Sequence, residues 1–115
     1  MNKREIGAKK EQLAAKYLEK QGYEILERNY YCRNGELDLI ARDGIYLVFV
    51  EIKYRTGTGS GHPLEAVNLT KKKRMIQTAR YYLYRNGYPE DTPCRFDVVG
   101  ILGDEILHVK GAFEV

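Results

Sequence analysis

The 115-residue chain has no tryptophan, two cysteines, three prolines and no long uncharged apolar run. Each scarcity closes off a class of protein. A helix crossing a bilayer needs ~20 predominantly apolar residues, so a membrane-spanning segment is excluded. The opening stretch MNKREIGAKKEQLAAKYL carries charge throughout. It holds no cleavable apolar region, so no secretory signal is expected and the expected address is the cytoplasm. Cys32 and Cys94 are far apart and form no Cys-x-x-Cys pair. They read as small hydrophobes in a reducing compartment, not as a disulfide or zinc site. The charge bias is slight, a net +3, which permits nucleic acid as a partner without requiring it. No repeat, linker or low-complexity segment divides the chain, and its length suits one domain with one core.

What is present is a regular alternation of helical and extended patterns. From about Arg4 to Gln21 the apolar residues Leu13, Ala14, Tyr17 and Leu18 form one helical stripe, and Gly22 follows as a stop. Tyr23–Arg28 reads as a strand. Gly35–Arg42 and Tyr46–Tyr54 read as two more, joined through Asp43-Gly44, a strong hairpin signal. The run YLVFVEI does not alternate, as expected of a central strand covered on both faces. TGTGSGHP reads as a loop and lacks the Gly-Lys-Ser/Thr ending of a phosphate-binding loop. A second helix is expected from about Lys71 to Asn86, with Thr70 as N-cap, Gly87 as stop and Met75, Ile76, Ala79, Tyr82 and Leu83 as its apolar stripe. CRFDVVGI and EILHVK close the chain as strands around Gly103-Asp104. The order αβββα followed by ββ implies an α/β protein with one mixed sheet and helices on it.

The central strand ends in Glu51-Ile52-Lys53, although isolated buried charges are costly. A two-residue turn centred on Asp43-Gly44 would set Asp38 opposite Phe49 and Glu36 opposite Glu51. Glu36, Asp38, Glu51 and Lys53 would then share a face, with Asp38 and Glu51 diagonal neighbours. A hard divalent cation resolves the conflict among those carboxylates. Asp38 and Glu51 would supply side-chain oxygens and Ile52 its main-chain carbonyl. Such an ion lowers the pKa of bound water for phosphodiester hydrolysis, with Lys53 beside the developing charge. Spacing alone favours a plain strand-end salt bridge, and the central position of the second strand shifts the reading towards a metal site. Glu11, at the edge of the first helix's stripe, suits either a site carboxylate or a solvated position.

Together these residues resemble the nuclease superfamily with the Asp…Glu-x-Lys signature and the restriction-endonuclease-like αβββαβ core. Within it they resemble archaeal Holliday-junction resolvases. From end to end, GAKKEQLAAKYLEKQGY, ERNYYCRNGELDLIARDG, LVFVEIKYR and CRFDVVGI are similar to the YraN family of small bacterial proteins, which has no assigned cellular role. The resemblance implies a catalytic set of Glu11, Asp38, Glu51 and Lys53. It implies Mg²⁺ or Mn²⁺ on Asp38 and Glu51, with Glu11 as a further ligand and Glu36 as a support. DNA, branched DNA included, is the implied substrate, and a homodimer the implied assembly, because resolvases use paired sites.

Lys71, Lys72, Lys73 and Arg74 open the second helix as a candidate phosphate-binding run. Lys3, Arg4, Lys9 and Lys10 extend the basic footprint, and Arg55 follows the strand that carries Glu51. A solvated basic face is the plain alternative. Of the ten tyrosines, Tyr30, Tyr31 and Tyr54 are candidates for base stacking. His62 and His108 have no ligand partner nearby in sequence, and Asp97 within a β-like run reads as structural, with a supporting place near the site as the alternative. The leading expectation is a metal-dependent DNA endonuclease. The alternatives are a catalytically silent nucleic-acid-binding module on a nuclease fold, or a protein-interaction adaptor.

Overall fold

The computed structural model describes residues 3–55 and 67–114. The glycine-rich segment with His62 lies outside the described residues, as do the side chains of Lys3 and Arg4. The elements run α1 (Lys3–Lys20), β1 (Glu24–Cys32), β2 (Gly35–Asp43), β3 (Tyr46–Arg55), α2 (Leu69–Arg85), β4 (Cys94–Leu102) and β5 (Glu105–Phe113). The strands form one sheet in the order β1-β2-β3-β4-β5. Three neighbouring pairs are antiparallel, and β3 with β4 is parallel. Parallel neighbours need a long crossover, and the segment containing α2 supplies it. This is the mixed-sheet α/β architecture expected, compatible with an αβββαβ nuclease-like core.

Central placement explains the composition of β3. Leu47, Val48, Phe49 and Val50 are all fully buried. Val48 and Val50 join Ala14, Ala15 and Leu18 of α1 with Leu39 and Ala41 of β2. Leu47 and Phe49 join Ile40, Met75, Ala79 and Tyr82 on the α2 side. Each large apolar side chain so buried contributes roughly 1.5–3 kcal/mol relative to exposure. Leu13 does not share this burial: it is exposed, at the margin of the α1 stripe.

Two local expectations are corrected. Helix α2 starts earlier than expected, and its N-cap is Asn68, not Thr70. Asn68 is extended, and its side chain accepts the Lys71 amide hydrogen at 2.9 Å. Asparagine serves that position at least as well as threonine. The β2–β3 hairpin also turns one residue later. Asp43 pairs with Tyr46, so Gly44 and Ile45 are the central residues. Gly44, with φ 61°, occupies the first central place, where type II′ turns favour glycine. Phe49 therefore faces Ile40, not Asp38. The slip is two positions along β2, an even number, and by itself would preserve the faces. Strand β2 is irregular at Asp38, however, which lines a cavity with Gly7, Lys10 and Glu11 of α1, while Glu51 lies on the α2 side. Among the described residues no helix is long and apolar enough to cross a membrane.

Candidate active site

The centre forms where β2 and β3 part. Their registered pairs run from Asp43–Tyr46 to Leu39–Val50 and stop there. Beyond that point the Ile52 amide donates to the Asp38 carboxylate at 2.7 Å. Strand β2 is irregular at the same place. Leu37 and Ile40 both pack on the α2 side, while Leu39 between them packs towards α1. Strict alternation would separate Leu37 from Ile40, so the strand reorients around Asp38.

Opposite Asp38, β1 bends as well. Its pairing with β2 passes from Arg28–Leu39 to Tyr30–Leu37, and Asn29 between them takes φ 51°. Asparagine tolerates that left-handed conformation better than most residues. The bend turns the Asn29 amide towards α1, where Nδ2 donates to Glu11 Oε1 at 2.8 Å. Glu11, Asp38, Ile52 and Tyr54 line a cavity of about 150 Å³ with Gly7 and Lys10.

Glu51 approaches from the α2 side of β3. It is a charged side chain held in the core, 5% exposed. Its Oε1 accepts two ammonium groups, Lys53 Nζ at 3.3 Å and Lys71 Nζ at 3.4 Å. Its Oε2 is buried with no hydrogen-bond partner among the described residues. Leaving a buried carboxylate oxygen unmatched is unfavourable unless a ligand completes it. Asp38 feels the same conflict. Burial first, and the Glu51 charge second, raise its carboxyl well above the usual range, against the lowering effect of the Ile52 amide.

These donors fit a hard divalent cation. They are oxygens, two are like-charged neighbours, and one is an orphan in the interior. The fit is carried by Asp38 and Glu51. Among the described residues no three His, Cys, Asp or Glu side chains converge closely enough to hold a metal by themselves. Glu11 shares the cavity with Asp38, but its Oε1 is engaged by Asn29. Glu36 is exposed and paired in register with Tyr31. Its charge, ahead of Glu11 and Asp38, raises the Tyr31 hydroxyl above its ordinary value.

This geometry belongs to a recognised sequence group. Residues 10–101 match the uncharacterised protein family UPF0102. The chain belongs to that family. A UPF0102 protein of Lachnoclostridium phytofermentans is 55% identical, over 99% of this chain and 97% of its own length. One from Nitrosococcus oceani is 42% identical, over 97% and 94% respectively. One from Caldicellulosiruptor saccharolyticus is 41% identical, over 98% of this chain and its full length.

The other candidate residues of this UPF0102 chain divide by environment. Lys73 and Arg74 are exposed on α2, and Lys72 Nζ sits 5.5 Å from the Phe113 ring centre. Lys71 alone of the run turns inward to Glu51. Arg55 is half-buried, and its guanidinium donates to the Tyr54 carbonyl at 2.8 Å. Lys10 donates to the Gly103 carbonyl, and Lys9 is exposed. Tyr30 is half-buried and packs edge-on against Tyr82 at the margin of the core. Tyr31 is 68% exposed, the freest of the three stacking candidates. Asn29 is the residue that sequence reasoning passed over. Its signal was a turn-favouring side chain inside an otherwise β-rich run, ERNYY.

Asp97 has no place in this centre. It is fully buried with Tyr23, Arg95 and His108 on the α1 side of the sheet. Burial by itself would raise its carboxyl. Hydrogen bonds from His108, Arg95 and the Gly111 amide prevail and hold it down to about 2. His108, without a partner in sequence, finds Asp97 Oδ2 at 2.7 Å and Tyr17 at 3.3 Å in space.

Proposed function

We propose that this protein is a metal-dependent DNA endonuclease that hydrolyses phosphodiester bonds, with branched or junction DNA as its preferred substrate class. The observation that carries the reading is the Asp38–Glu51 pair. Two carboxylates lie close enough to interact beside the central strand, one raised by burial and its neighbour's charge and one with a buried orphan oxygen.

Asp38 and Glu51 would hold Mg²⁺ or Mn²⁺, with the Ile52 carbonyl as a main-chain donor and Glu11 and Glu36 as outer supports. When bound, the ion supplies a water of lowered pKa and neutralises charge on the phosphate. The Ile52 amide hydrogen bond orients Asp38 and favours its ionised form, opposing burial and the Glu51 charge. Lys53, two residues after Glu51 on the same strand face, presents a partly exposed ammonium to the developing phosphate charge. Arg55, Lys71, Lys72, Lys73 and Arg74 supply candidate backbone contacts, and a homodimer would supply the paired sites that symmetric cleavage of a junction needs.

The test is cleavage of duplex, single-stranded, flapped and four-way-junction DNA with Mg²⁺, Mn²⁺ or EDTA, beside Asp38→Asn. Metal-dependent cutting lost in the variant is the expected result. Tight binding without cutting on any substrate would favour a silent binding module, and neither binding nor cutting would favour the adaptor.

A further inference from the structure

Lys71 is the residue of the basic run that the fold turns towards Glu51. Its backbone is fixed, because its amide donates to the Asn68 cap at the start of α2. Its side chain nevertheless crosses from the helix to β3 and reaches Glu51 Oε1 at 3.4 Å. An ammonium in the first helical turn is opposed by the helix dipole, and that turn holds no acidic residue to offset it. Lys72, Lys73 and Arg74 follow directly, adding like charge. Glu51 is thus the carboxylate that holds Lys71 in place.

Lys53 and Lys71 both bind Oε1, while Oε2 stays buried and unmatched. The two ammonium groups balance the formal charges of Asp38 and Glu51 without any metal. A divalent ion arriving with one phosphodiester would balance the same carboxylates together with Lys53 alone. Lys71 is then in surplus, and the incoming phosphate is the anion nearest to take it. Lys71 is also the more readily released of the two. It comes from a separate element, whereas Lys53 shares the strand with Glu51.

We infer that Lys71 is a built-in counter-cation of this centre: it holds Glu51 in the metal-free protein, yields it to a divalent ion, and transfers to the phosphate backbone of the nucleic acid. The inference rests on the metal-dependent reading above and deepens it. Metal loading and DNA binding are coupled through one side chain. Lys71 positions Glu51 before loading and contacts substrate after it.

The coupling gives opposite signs that structural damage would not produce. In titration calorimetry of the full chain with Mn²⁺, Lys71→Met should tighten the metal by about tenfold. That is a modest share of the attraction between unit charges this close. Lys71→Arg, which keeps the charge, and Lys73→Met, on the exposed face, should leave Mn²⁺ affinity near that of the unsubstituted chain. With Ca²⁺ loaded to suppress cutting, Lys71→Met should weaken binding of a fluorescent four-way junction by about threefold to tenfold. Circular dichroism and the melting midpoint establish that each variant is folded. Mn²⁺ affinity unchanged or weakened in folded Lys71→Met overturns the counter-cation role while leaving the metal site standing. Tightened metal with unaltered junction affinity overturns the transfer. No Mn²⁺ binding by either the unsubstituted chain or Lys71→Met removes the metal reading and this inference together.

Discussion

Asp38 accepts the Ile52 amide hydrogen at 2.7 Å beyond the last registered β2–β3 pair. A side chain thus takes the place of a ladder partner where the two strands separate. The same bond satisfies the backbone of β3 and fixes a carboxylate that feels the Glu51 charge. Fold and candidate chemistry share one hydrogen bond, which makes Asp38 the most informative position to change.

Asp38→Asn keeps an oxygen that can accept from Ile52 but removes the charge that conflicts with Glu51. The variant should fold with an unchanged or raised melting midpoint. Its Mn²⁺ affinity should fall by at least the ~10–100-fold typical of losing even an outer-shell partner, and cleavage should be lost with it. Calorimetry and the cleavage assay read the two effects separately. Full activity in the variant would remove Asp38 from the metal set.

Asn29 should show a split between backbone and side chain. Asn29→Ala loses both the tolerated left-handed conformation and the bond to Glu11, and should cost about 1–3 kcal/mol. Asn29→Gly retains the conformation and loses only the bond. It should recover most of the stability in urea denaturation while leaving any activity defect in place. Equal stability for the two variants would show that φ at this position is unimportant.

The exposed cations of α2 should govern salt dependence. Replacing Lys73 and Arg74 with Gln should weaken binding to every DNA alike, because cation–phosphate pairs carry no sequence information. The slope of log affinity against log salt should decrease in magnitude by about 0.9 for each phosphate no longer neutralised. Anisotropy titrations between low and moderate salt measure it. An unchanged slope would make this a solvated face.

Asp97 should dominate acid sensitivity. Its folded pKa, held down to about 2, lies below the ordinary unfolded value near 3.9. The unfolded chain therefore binds more protons, and stability rises with pH across that window. Present in full above about pH 5, the contribution of about 2 kcal/mol is lost as pH falls through about 2. Asp97→Asn should flatten this part of the profile. It should also destabilise the neutral protein by about 1–3 kcal/mol, since Arg95, which keeps Asp43, and His108 lose a buried charged acceptor. Denaturation midpoints from pH 2 to pH 7 provide the check.

The sheet and its covering helices were legible because they rest on local patterns. YLVFVEI announced a strand buried on both faces, and Gly22 and Gly87 marked the helix ends correctly. The N-cap and the turn were misplaced by small margins. Asn68 and Thr70 are both competent caps, and Asp43-Gly44 and Gly44-Ile45 are both workable turns. Such near-equal local choices are decided by the packing of whole elements.

The sequence by itself determined the layer order, the central strand and the presence of Asp38, Glu51 and Lys53 around it. Periodicity and composition act over a few neighbouring residues, and those signals survive in one dimension. Tertiary structure alone decided that β2 and β3 part at Asp38, that Asn29 claims Glu11, and that Lys71 turns inward to Glu51. It also gathered Tyr17, Tyr23, Asp97 and His108 from three elements and a loop into one network. Burying a charge demands a partner wherever the fold can bring one, and the distance between partners along the chain has no bearing on that demand.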